Sequence, residues 1–130
     1  MRLLSLIILI SLASLFIVTC SQPSDHYLSN KLPDVVTYND HIQLILENNC
    51  VRCHGGSTTR SIDMSSYGNI LDLSGNDISS NIFVPGNPQS KILKLRLNPE
   101  TGGMYDYLNS AIEYDYIYQW IVVDSLREDS

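Results

Sequence analysis

Residues 48–56 read NNCVRCHGG, and this stretch sets how the rest of the chain is read. Two of the three cysteines, Cys50 and Cys53, stand at C-x-x-C spacing with His54 directly behind them. Upstream, TYNDHIQLILENN from Thr37 places Ile42, Ile45, Leu46 and Asn49 at i, i+3, i+4 and i+7, which predicts an amphipathic helix running into Cys50. Thr37 and Asp40 have the spacing of an N-terminal capping box. Downstream, Gly55 to Pro85 is rich in Ser, Gly, Asn and Asp, and only SIDMSSYGNILDLSG has apolar residues enough for one or two helical turns. VPGNPQSKILKLRL follows, a Pro-Gly-Asn-Pro turn leading into a short helix with Ile92, Leu93, Leu95 and Leu97. The last pattern, SAIEYDYIYQWIVVDSL, opens on a second S-x-x-E box at Ser110 and Glu113. It predicts a helix from near Ala111 to Leu126 with Ile112, Tyr116, Trp120 and Val123 on one stripe, flanked by Ile117 and Ile121. The acidic Asp124, Glu128 and Asp129 read as its frayed end. No alternating stretch is long enough for a sheet and there is no internal repeat, so the expected class is all-α. The first and last helices are expected to cross, because each has one apolar stripe and no other long element can bury it.

The N-terminus sets the compartment. MRLLSLIILISLASLFIVTC has a basic residue at Arg2, an apolar run from Leu3 to Val18 and then Thr19 and Cys20, the build of a secretory signal segment. IVTC resembles a bacterial lipobox, which makes Cys20 the lipidated first residue of the mature chain; a retained transmembrane anchor is the alternative. The polar SQPSDHYLSNKLPD beyond it reads as a linker. The expected organisation is a signal peptide over 1–19, a flexible tether over 20–36 and one domain over 37–130, exported and held at a membrane, with Ser21 resembling the outer-membrane sorting pattern. Removing Arg2 with the signal leaves seven basic residues against fourteen acidic, a formal charge of −7 in place of −6. That sign argues against nucleic acid and allows a basic soluble partner.

C-x-x-C-H is the attachment signature of a c-type haem. Two thiols one turn apart add across the vinyl groups of one porphyrin edge, and the next imidazole then lies under the iron. Other readings compete with it. A thioredoxin-like pair needs a βαβ setting, which this chain lacks. A zinc site needs four ligands, and beyond Cys50, Cys53 and His54 the chain offers only His26, His41 and carboxylates. A disulfide across so short a loop is strained and cross-links little. His26, in the linker, and His41, at the helix start, read as surface residues. No Ser-His-Asp or Cys-His arrangement, paired carboxylates or phosphate loop is present, so no enzyme is expected.

The order of motifs resembles the small monohaem class I cytochrome c domains of the planctomycete type. Cys50-Val51-Arg52-Cys53-His54 after a helix, then SIDMSSYGNI, PGNPQSKIL, Met104 in a Gly-rich loop and a final helix with Trp120 cover residues 37 to 126 in that order. The resemblance implies a small class I cytochrome c fold, its N- and C-terminal helices packed around one covalent haem c. Cys50 and Cys53 hold that haem, His54 is the proximal iron ligand and Met104 the distal one. Two departures stand out: Tyr105 and Asp106 follow Met104 where the family has Met-Pro-Pro, and Leu44 stands where the family often has Pro. Met64, where relatives usually carry Leu, reads as core filling. Of Tyr105, Tyr107, Tyr114, Tyr116 and Tyr118, some are expected to line a haem edge or bond a propionate, with Tyr116 also readable as plain core. A Met/His pair leaves iron no open site, so the implied function is to carry single electrons between periplasmic or cell-surface redox protein partners. Two alternatives stay open: a haem sensor or peroxidase-like protein with an open distal site, and a non-haem metal-binding module.

Overall fold

The computed structural model describes residues 31–56, 62–74 and 82–130, and among these the chain is helical with no strand. Thr37 starts the first helical run. Its hydroxyl accepts from the Asp40 N–H at 3.3 Å and donates to Asp40 Oδ2 at 2.9 Å, so the expected cap forms. A π turn over Tyr38–Ile42 leads into α1, Gln43–Asn49, and after a bend at Cys50 into α2, Val51–His54. Ile42, Ile45 and Leu46 are buried and Leu44 is exposed, as the periodicity requires. α3, Tyr67–Asp72, is capped by the Ser66 hydroxyl. A π turn spans Ile92–Arg96 where the sequence predicts a short helix, and Ile92, Leu93 and Leu97 bury while Leu95 stays exposed. The turn before it fits its residues: Pro85 and Gly86 are its centre, Gly86 has φ 73°, and the Asn87 N–H closes onto Val84 O at 3.1 Å.

α4, Ala111–Val122, is the longest helix. Its buried stripe is Glu113, Tyr116, Ile117, Trp120 and Ile121, so Ile112 moves to the margin. Val123 lies beyond the helix end and is exposed. The capping box at Ser110 does not form: the Ser110 hydroxyl makes no cap bond and is buried without a partner. Glu113 is drawn instead toward Asn49 and Asn109, where its carboxylate accepts the Asn109 N–H at 2.7 Å. As expected, the first and last helical segments pack together, with the Tyr38 and Trp120 rings 6.0 Å apart and Phe83 edge-on to Trp120 at 6.3 Å.

The chain beyond α4 is a strap and not a frayed end. Ser125 and Leu126 take left-handed backbone, with φ 53° and 62°, and turn the chain back over the core, where Leu126 is buried. Arg127 O then accepts from both the Tyr38 N–H and Trp120 Nε1, each at 2.8 Å. Glu128 O accepts from the Asn39 N–H at 3.1 Å, and Leu126 O from the Tyr67 hydroxyl at 2.8 Å. The Arg127 and Glu128 carbonyls satisfy N–H groups that the first helical turn leaves open. Asp124 takes the Val36 N–H at 2.9 Å, and Gln119 donates to Pro33 O at 3.0 Å. Val36 is fully buried and Leu32 packs on the core, so the folded body takes in residues 32–36, the last of those given to the tether. Left-handed backbone costs a non-glycine residue roughly 1–2 kcal/mol. Ser125 is exposed, so Ser125→Gly should stabilise the fold by about 0.5–1 kcal/mol and raise the thermal midpoint by a few degrees. A calorimetric scan showing no rise would mean the strap is not held in this conformation.

Candidate functional site

The end of α1 and α2 present the C-x-x-C-H stretch as one helical surface. The Cys53 and His54 N–H groups both turn back to Cys50 O, at 3.0 and 2.8 Å. Gly55 follows because its neighbourhood admits no side chain: a Cβ there would stand 2.8 Å from Val51 O. His54 O accepts the Met64 N–H at 2.7 Å, which brings the next described segment against the histidine. Cys50 and Cys53 stand as thiols and not as a disulfide. Burial, with the nearby Glu113 carboxylate and then Cys53, pushes the Cys50 thiol up to about 11. A thiol so held is protonated at neutral pH and is a poor thiolate nucleophile.

These residues open onto a cavity of about 190 Å³. Cys50, Cys53 and His54 line it together with Met104, which lies fifty residues further along the chain. Leu46, Met64, Phe83, Ile92 and Leu97, all buried, supply apolar wall. Arg52, Cys53 and Tyr107 also line it and are exposed, so it has a mouth on that side. His54 is buried, and its Nδ1 has no hydrogen-bond partner. An unsatisfied buried ring nitrogen is a group that calls for an explanation, and a ligand to the imidazole supplies one.

Met104 is held by a tightly built loop. Its N–H donates to Arg96 O at 2.9 Å, and the Asn98 side chain accepts the Glu100 and Thr101 N–H groups at 2.8 and 3.0 Å. Gly102 backs onto the same carbonyl, where a Cβ would come within 2.4 Å of Arg96 O and 2.5 Å of Asn98 N. Gly103 has open space and no such constraint. The loop therefore needs no proline to be fixed.

Of the five tyrosines considered, Tyr107 lines the cavity. Tyr116 is core, with His41 stacked on its ring at 5.5 Å. Tyr105, Tyr114 and Tyr118 form a separate ladder with centroids 5.8 and 6.2 Å apart. His41 Nδ1 accepts the Thr37 N–H at 3.2 Å, a structural task away from the cavity. Met64, read as core, is both core and cavity wall. His26 and Cys20 lie outside the described residues. Sequence reasoning missed the polar cluster of Asn49, Asn109 and Glu113; the available signal was a polar residue on each of two apolar stripes.

Among the described residues no three His, Cys, Asp or Glu side chains are grouped as a metal ion requires, and no helix is long and apolar enough to cross a membrane. No family model, curated protein or solved structure matches the chain.

Proposed function

We propose that the protein is a monohaem c-type cytochrome of class I type that carries single electrons between exported redox proteins. The observation that carries this reading is one apolar cavity faced by C-x-x-C-H on one segment and by the Met104 loop on another. The residues fit the group: two thiols one helical turn apart, a buried imidazole with an unsatisfied nitrogen, a thioether and apolar walls for a flat macrocycle. Cys50 and Cys53 would hold it by thioether bonds, and His54 and Met104 would be the axial ligands. Bound there, haem supplies a one-electron couple. The chain's own contribution is positional. α2 fixes the two cysteines and His54 relative to one another through Cys50 O, the Arg96 carbonyl fixes Met104, and Leu46, Phe83 and Ile92 exclude water. The zinc-clip reading has less support, because among the described residues no three His, Cys, Asp or Glu side chains are grouped as such a site requires.

The test is covalent attachment. Chain produced in a host with c-type maturation should retain haem after denaturing electrophoresis, and Cys50→Ser with Cys53→Ser should abolish the stain. An unstained wild-type band sinks the reading.

We extend the same reading to the anchor, with Cys20 lipidated and the residues after it serving as a membrane tether. Cys20→Ala should release the protein or leave it unprocessed. Equal incorporation of labelled fatty acid into wild type and variant would show that another residue, or none, carries lipid.

A further inference from the structure

Glu113 is 2% exposed and is the only buried carboxylate among the described residues. Its partners are all N–H donors: the Asn109 main chain at 2.7 Å, Asn49 Nδ2 at 3.1 Å and Asn109 Nδ2 at 3.5 Å. The amide orientations follow from the network. Asn49 Nδ2 also donates to Ile45 O at 2.9 Å, and a carbonyl only accepts, so Asn49 Oδ1 is left to take Asn109 Nδ2 at 2.8 Å. A carboxylic acid would find no acceptor in this set, whereas a carboxylate is satisfied by it. None of these partners is a cation.

The charge stands directly behind the cavity wall. Asn49, which donates to it, lines the cavity, as does Leu108 beside Asn109. Ile117, four residues on and therefore on the same helix face, lines it too. We infer that Glu113 is a fixed buried anion that favours the oxidised, more positively charged state of the cavity's occupant. The inference rests on the haem reading. On oxidation one electron passes to the redox partner and the iron–porphyrin core gains one positive charge, which an anion behind the wall stabilises. Glu113 is thus a tuning residue and touches no reacting atom.

The test compares reduction potentials of the haem-loaded wild type, Glu113→Gln and Glu113→Asp. At a fixed applied potential, Glu113→Gln should shift the balance toward the reduced form about tenfold, which is about 59 mV for one electron. Glu113→Asp keeps the charge and should stay close to wild type, a rescue that a merely structural role would not give. Because the charge is buried, the Gln shift should persist when salt is raised. If Glu113→Gln does not accumulate, Glu113→Gln with Asn109→Asp moves the charge to an exposed position, where the Gln amide can donate to the new carboxylate, and the potential should again rise. Haem-bearing variants with equal potentials, or Gln and Asp variants shifted alike, overturn the inference and leave the haem reading standing. A wild-type chain without haem overturns both.

Discussion

Trp120→Ala should destabilise the protein by about 3–5 kcal/mol, the largest effect expected of any single core substitution here. Trp120 is fully buried and meets Tyr38 and Phe83, rings from two other parts of the chain. Its Nε1 donates to Arg127 O at 2.8 Å, the carbonyl that also takes the Tyr38 N–H. Truncation therefore leaves a cavity and removes one of the bonds that seat the C-terminal strap. Domains of this size hold only about 5–15 kcal/mol in total, so much of the stability is lost. Phe83 borders both Trp120 and the cavity, so on the proposed haem reading haem loading should fall with the fold. Urea unfolding of the variant reads the effect. A variant within about 1 kcal/mol of wild type would mean that α4 is peripheral to the core.

Gly102→Ala should cost about 1–3 kcal/mol and, beyond that, displace Met104. The added methyl meets main-chain atoms, Arg96 O at 2.4 Å and Asn98 N at 2.5 Å, which cannot rotate away as a side chain can. Arg96 O is the acceptor that holds the Met104 N–H at 2.9 Å, so relieving the clash lengthens that bond and moves the thioether. Gly103→Ala is the matched control, since a Cβ there meets nothing within 4 Å, and it should change stability by no more than about 0.5 kcal/mol. Thermal midpoints of the two variants give the comparison. Equal midpoints for the two would show that the loop is not clamped at Arg96.

Much of this architecture is legible in the chain because period and caps agree. Ile42, Ile45 and Leu46 fall on one helical face, Thr37 caps it and Pro85-Gly86 announces its own turn; each signal is local. The C-x-x-C-H spacing is local as well, which is why three neighbouring residues, Cys50, Cys53 and His54, can be grouped on spacing alone. What the sequence hides is non-local. Asp124 looks like a solvated charge until the chain reverses at Ser125 and Leu126 and brings it to Val36, 88 residues away. Ser110 and Glu113 match a capping box, but Asn49, 64 residues upstream, competes for the carboxylate. The Met104 loop looks loose without prolines because its clamp is a main-chain carbonyl at Arg96, and nothing in the side-chain sequence marks a carbonyl.

The most direct measurement is the optical spectrum of the oxidised and reduced protein, matured with haem, for wild type, Met64→Ala and Met104→Ala. Both thioethers border the cavity, and Met104 is the one presented by a loop on a separate segment from His54. The sulfur-to-iron charge-transfer band should be present in wild type, survive Met64→Ala and vanish in Met104→Ala, with carbon monoxide binding only to the last. A wild type without the band, a wild type that binds carbon monoxide, or loss of the band with Met64→Ala would contradict a His54/Met104 electron carrier.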